Sequence, residues 1–212
     1  MLKRILLFLS IILQISMLHI SAIADTHDKY LKGKFYSSVK DHFLIATKKM
    51  IDGRFKKTLI VMLENNKDGA WGLVINKPLG SVPLALLIDP SLSSLKERED
   101  LYKVKIPIFW GGPVETTTIF VLHSNEYKSE STNNYGDISV SQDYNILFDI
   151  AKNKGPEKSL VILGYSGWGG GQLEGEMETD HWILSDIDLK ITFDKESNTK
   201  WHRALKNSFI KI

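Results

Sequence analysis

An apolar, β-branched run from Thr58 to Leu63 is followed by Asn65-Asn66-Lys67-Asp68-Gly69 and then by a second apolar run, Ala70 to Asn76. The intervening residues tolerate positive φ, and neither run is long enough for a typical helix, so the segment predicts a β-hairpin. A parallel crossover would need a dozen or more connecting residues. Antiparallel pairing therefore sets the topology of this region, and Pro78 is expected to end its second strand because proline cannot donate to a ladder.

The same pattern recurs along the chain. Phe43 to Ala46 precedes the hairpin as a strand, Val104 to Phe109 and Ile119 to His123 follow it around a tight Gly111-Gly112-Pro113 corner, and Ile138 to Val140, Ser159 to Leu163 and Ile187 to Phe193 complete the set. Helices are expected where apolar residues recur at helical spacing. Ser81 would cap one through Leu84, Leu87 and Ile88, stopped by Asp89-Pro90. Ser141 would cap another, with Ile146, Leu147, Ile150 and Ala151 on its face and Gly155-Pro156 as terminator. Gln172 to Asp180 and the segment around Trp201, Ala204 and Leu205 complete the helices, while Asn125 to Gly136 reads as a surface loop. Strands outnumber helices, which favours an α+β fold over a doubly wound parallel sheet.

Residues 1–24 read as a secretion signal: Lys3 and Arg4 form a basic start, Ile5 to Leu13 are apolar apart from Ser10, and Ala22-Ile23-Ala24 offers small residues to a signal peptidase. Residues 25–41 then form a polar arm, and residues 42–212 a single domain. Export to the periplasm is the expectation; an uncleaved membrane anchor and a cytoplasmic location are the alternatives. The chain has no cysteine, which an oxidising compartment permits. Lys and Arg number 27 against 25 Asp and Glu, and two of the basic residues belong to the signal. Such a balance excludes the basic excess of a dedicated nucleic-acid binder, and leaves a protein, a peptide or a small ligand as the expected partner. Hydrophobic residues at 43% and charged residues at 25% exclude a disordered chain.

The stretch Gly164-Tyr165-Ser166-Gly167-Trp168-Gly169-Gly170-Gly171 follows a buried strand and is the first place to look for chemistry. Three motif readings fail on spacing. A phosphate loop lacks its Lys-Ser/Thr after Gly171, a dinucleotide fingerprint meets Gln172 at its last glycine, and a hydrolase elbow meets Trp168 where its second glycine belongs. A serine between strand and helix still has local parts of an acyl-transfer site, with His123 or His181 as base and Asp180 or Asp186 to orient it. The competing reading is a partner groove around Trp110, Tyr165 and Trp168. Glu174, Glu176, Glu178, Asp180 and His181 lack ligand spacing, so no metal and no cofactor is expected. Lys77, after Asn76 at a strand end, is a further candidate to face a ligand.

His42-Phe43-Leu44-Ile45-Ala46, Gly72-Leu73-Val74-Ile75-Asn76-Lys77-Pro78, Gly111-Gly112-Pro113-Val114, Leu122-His123-Ser124 and Leu163 to Trp168 followed by Gly171-Gln172-Leu173-Glu174 together resemble the YqgE/AlgH family, also called UPF0301 or DUF179. The blocks run in the same order from about His42 to Leu205. The resemblance implies a bent, bifurcated, mostly antiparallel sheet forming a pseudo-barrel with flanking helices, and it implies no reaction. One branch of the family carries a transcriptional-regulator label. The family motif maps here onto Asn76, Lys77, Gly111, Gly112, His123, Gly164, Tyr165, Trp168, Gln172 and Glu174, to which the residue reading adds Ser166. The expected activity is that of a binding or regulatory module.

Overall fold

The computed structural model describes residues 39–88 and 95–208, without the side chains of residues 95–97; the expected signal, most of the arm and the Asp89-Pro90 helix stop lie outside it. The chain opens with β1 (His42–Ala46), β2 (Leu59–Asn66) and β3 (Gly69–Val74), an antiparallel run in which Lys67 and Asp68 form the hairpin tip. Asn66 Oδ1 accepts the Asp68 amide at 2.8 Å, holding the turn with a side chain.

After β4 (Pro78–Pro83) come α1 (Leu95–Lys103), β5 (Lys105–Trp110) and β6 (Val114–Ser124). Then β7 (Asn133–Tyr135), β8 (Ile138–Ser141), α2 (Asn145–Ala151) and β9 (Ser159–Gly169) lead to α3 (Gln172–Glu178), β10 (Trp182–Asp186), α4 (Leu189–Thr192) and α5 (Ser197–Lys206). The strand order is β10-β1-β2-β3-β9-β6-β8-β7, with β5 also pairing with β9 and β4 pairing with β5. Among the described strands only β5–β9 is parallel; the rest is antiparallel, curled into a half-barrel with a few flanking helices.

Both faces of the central strands are buried, which explains their continuous apolar runs. Along β9, Leu160 and Ile162 join one core with Phe43, Leu59, Leu73 and Trp201. Val161 points the other way, into a second core with Leu84, Ile108, Ile146 and Leu147. β6 divides likewise, with Phe120 and Leu122 in the first core and Val121 in the second. Closure by α5 depends on Trp201, whose Nε1 donates to the Ala46 carbonyl at 2.8 Å.

Several expectations are corrected. Ser81 caps no helix: Val82 pairs with Ile106 in β4, and Pro83 sits at φ −56°, ψ 135°, leaving only a 3₁₀ turn at Leu84–Leu86. Proline disfavours a helical residue before it, so the chain stays extended up to that point. Pro78 opens β4 as well as following the hairpin, and β4 pairs with β5 alone, where an edge strand tolerates missing donors. Ser141 belongs to β8, and the first turn of α2 is held instead by Asp143 Oδ1, which accepts the Ile146 amide. Ile187 to Phe193 is not a strand. The strand is β10, five residues earlier, and Asp188 caps the short α4 by accepting the Lys190 amide at 2.8 Å. Within the expected loop Asn125 to Gly136, β7 pairs with β8. The residue reading also lacked α1.

Candidate functional site

Gly164 to Gly169 of the glycine-rich stretch are strand, and a turn is confined to Gly170 and Gly171. β9 runs unbroken from Ser159 to Gly169 and changes partners partway: Val161 to Leu163 pair with β5, whereas Ser166 to Gly169 pair with β3. The sheet forks at this change. Gly111 occupies the crotch, donating its amide to Leu163 O at 2.8 Å and accepting from the Val74 amide at 3.0 Å. Gly164, at φ +70°, bends the strand there, and Gly112 follows at φ +152°. A Cβ on Gly111 would lie 2.1 Å from Gly164 O, and one on Gly112 would lie 2.1 Å from the Tyr165 carbonyl. Backbone passes backbone too closely for any side chain.

Ser166 is fully buried and its hydroxyl donates to Gly111 O at 3.0 Å, adding another bond at the fork. Neither imidazole is bonded to it among the described residues. His123 is also fully buried, with Nδ1 on Ser124 O and Nε2 on Ser141 Oγ, both at 2.9 Å. Burial holds its pKa below the ordinary histidine value. From Ser141 the chain of hydroxyls continues through Thr132 and Ser129 to Asp143. His181 Nδ1 contacts Thr179 Oγ1 at 3.2 Å, Asp180 takes the Lys49 ammonium at 2.7 Å, and Asp186 stands 3.9 Å from His42. Among the described residues, the Ser/His/Asp grouping expected around Ser166 is therefore not assembled.

The remaining sequence candidates divide between scaffold and surface. Asn76 is scaffold: Oδ1 accepts the Leu59 amide and Nδ2 donates to Lys57 O, each at 2.8 Å, fastening the end of the hairpin. Lys77 turns its ammonium onto Lys56 O at 2.9 Å, and partial burial lowers its pKa. Glu174 is buried and accepts from Asn65 at 3.5 Å. Gln172 is exposed, and its Nε2 donates to Glu176 at 3.0 Å. Among the described residues, no group of three His, Asp or Glu side chains is placed to hold a metal.

Tyr165 and Trp168 lie three positions apart on an extended strand, so their rings face opposite ways. Two recesses result. On the Tyr165 side, a recess of about 580 Å³ includes Trp71, Phe120 and Tyr165, with Glu64, Asn66, Asp68 and Gln142 in its polar lining. Trp71 meets Tyr165 nearly edge-on at 5.7 Å and Phe120 at 5.8 Å. Tyr135 closes on Trp71 at 6.4 Å and donates to Glu64 at 3.4 Å. Burial, with the Glu64 charge, raises its pKa.

On the other side, a recess of about 350 Å³ is lined by Phe55, Trp168, Trp182, Glu176 and the Asp52–Arg54 pair. Trp110 reaches this side through Phe55, 5.4 Å away. Trp168 contributes to the lining of both recesses, Tyr165 only to the first and Trp110 to neither, so the three do not line the one groove expected. Glu176 Oε2 accepts from both Trp168 Nε1, at 3.1 Å, and Trp182 Nε1, at 2.7 Å. Glu176→Ala would leave both indoles without that acceptor and is expected to cost about 1–2 kcal/mol, since water entering the recess replaces part of it. Glu176→Gln keeps an oxygen acceptor and should lose less; urea titration of both variants checks the order.

Trp71, Glu64 and Phe55 were not singled out by sequence reasoning. Trp71 carried a usable signal, because it alternates with Leu73 along β3 and so shares its face. Glu176 was noted only for its charge, and nothing local in sequence pairs it with two indoles.

Comparison with known proteins agrees with this geometry. The model of the AlgH-like family DUF179 matches residues 43–212. A UPF0301 protein of Stutzerimonas stutzeri is 39% identical over 166 residues, covering 77% of this chain and 85% of that protein. One from Rickettsia peacockii is 37% identical, covering 84% and 92% respectively. The solution structure of the AlgH protein from Pseudomonas aeruginosa superposes with a TM-score of 0.68 at 36% identity, covering 83% of this chain and 92% of that one. A crystal structure from Corynebacterium diphtheriae, 12% identical, shares the fold with a TM-score of 0.58 over 79% of this chain and 85% of its own. The family blocks identified in the sequence coincide with β1, the end of the hairpin, the fork, the end of β6 and the start of α3; the chain belongs to the AlgH-like UPF0301 family, for which no catalytic function is established.

Proposed function

We propose that this protein is a binding module whose ligand enters the recess on the Tyr165 side of β9. The supporting observation is the recess itself: about 580 Å³, within the range of small-ligand sites, with aromatic rings and a polar lining. Its wall is a strand paired with β3 from Ser166 to Gly169 and with β6 at Tyr165, which holds the backbone of the site before binding and limits the ordering entropy that opposes it. A regulatory role would act through what the recess holds.

A fragment screen followed by amide and indole NMR tests the reading. Bound fragments should shift the Trp71 indole and the Gly167 amide together. Hits confined to other surfaces would overturn it, as would ester turnover that disappears in Ser166→Ala, the outcome required by the hydrolase alternative.

We also propose that the protein acts outside the cytoplasm, on the strength of the pattern in residues 1–24. N-terminal sequencing from the native host should begin at Asp25; an intact Met1 chain in the soluble cytoplasm would contradict this.

A further inference from the structure

The charged side chains lining the Tyr165-side recess are Glu64 and Asp68, both exposed at its edge; among the described residues no lysine, arginine or histidine lines it. Lys67, between them in sequence, is not among the lining residues. The amides of Asn66 and Gln142 and the aromatic side chains Trp71, Tyr165 and Trp168 complete the polar groups of the lining, all uncharged. Inside stand Trp71 and Tyr165, 5.7 Å apart and at 77° to each other. Rings in this relation offer a negative face along two directions, and carboxylates at the rim add to the same field. An anion would be repelled by both elements, whereas a neutral apolar ligand would use the rings and ignore the rim. A hydrated inorganic cation would be a poor match because carboxylates at an exposed edge replace few of its water ligands.

We propose that this recess takes an organic cation, an alkylammonium or guanidinium head seated against Trp71 and Tyr165 with Glu64 and Asp68 as its counter-charges. The inference rests on the binding-module reading and names the ligand chemistry of that site. Because the recess exceeds the size of one such head, it also accommodates part of the chain that carries it. The cation is supplied either as a free small molecule or as a lysine or arginine side chain of a peptide.

Titration of the full chain with choline, with its neutral isostere 3,3-dimethylbutan-1-ol and with Nα-acetyl-lysine methylamide, read by the Trp71 indole resonance, tests the proposal. At least one of the two cations should bind about tenfold more tightly than the neutral alcohol, the ratio expected for a cation held by an aromatic face and a carboxylate. Preference between choline and the lysine derivative distinguishes the two sources. In the double variant Glu64→Gln, Asp68→Asn, both changes lying on the exposed rim, the ratio should fall towards one while the fold is retained. Equal binding of choline, the lysine derivative and the alcohol would overturn the proposal but leave a binding recess. If none of these compounds shifts Trp71 while other fragments do, the cation proposal fails alone. If no compound of any charge shifts it, the binding-module reading fails as well.

Discussion

Gly112→Ala is expected to destabilise the protein by about 4 kcal/mol or more, placing it among the rare single substitutions that remove most of a domain's stability. The added methyl would lie 2.1 Å from the Tyr165 carbonyl carbon and oxygen and 2.3 Å from the Ser166 amide nitrogen. All three are backbone atoms of β9, so no side-chain rotamer relieves the collision. The backbone at Gly112 also has φ +152°, a region that alanine avoids. Separation of the strands would break the bonds that Gly111 makes to Leu163, Val74 and Ser166. Gly175→Ala provides the contrast, because Gly175 is exposed within α3 and a Cβ there meets nothing within 4 Å. That change should stabilise by roughly 0.8 kcal/mol through helix propensity. Urea denaturation of both variants measures the difference; a Gly112→Ala loss below about 1 kcal/mol, the ordinary size of a mutational effect, would mean that the fork is looser than the structure indicates.

Lys200 is the source of a second large effect. Its side chain is fully buried, with the ammonium donating to Thr192 O at 2.7 Å and Ile75 O at 3.1 Å and standing 5.6 Å from the Phe109 ring centroid. Burial outweighs these partners and the attraction of Asp194, and moves the pKa from 10.5 down to about 8, with Arg203 acting in the same direction. Below pH 8 the lysine is charged in both folded and unfolded chains, so the folded state carries the full cost. Between pH 8 and 10.5 the folded lysine releases its proton while the unfolded one keeps it, so the unfolded state binds more protons and stability rises with pH. The rise should be about 2 kcal/mol between pH 8 and 10. Tyr127, pushed up to about 12, and Tyr135, also raised, act in the opposite sense as the unfolded tyrosines titrate around pH 10, so they trim only the top of that window. Lys200→Met should lose most of the rise, keeping only the part that the lowered pKa of Lys77 contributes in the same direction. Equal slopes in the two proteins would show that Lys200 is solvated or otherwise neutralised in the folded state.

Legibility in the sequence followed the range of the interactions. The β2–β3 hairpin was readable because both strands and the residues that turn the chain are neighbours. The Ile187 strand was misplaced because its β-branched residues suit a strand equally well, while Asp188 and the pairing of Trp182 to Asp186 with distant β1 decide the matter. The glycine-rich stretch was the largest misreading. Glycine is depleted in strands, so a run of it reads as a turn. At Gly164 the cause is a close backbone approach from Gly112 and Val114, some 50 residues earlier in the chain, and at Gly170 one from Lys67 at the hairpin tip, neither of which a local pattern displays. Once β9 is known to be extended, the alternation of Tyr165 and Trp168 follows directly, and with it the two recesses in place of one groove. Lys200 shows the same limit, since a lysine at a helix position reads as solvated until Ile75 and Thr192 are seen around it.

Amide hydrogen exchange across residues 160–171 tests most directly whether this segment is a rigid wall shared by two parts of the sheet. The ladder-bonded amides among Ser166 to Gly169, paired with β3, should exchange as slowly as those among Leu160 to Leu163, while Gly170 and Gly171 exchange fast. Fast exchange from Gly164 through Gly171 as one unit would make the segment a mobile loop and contradict the account.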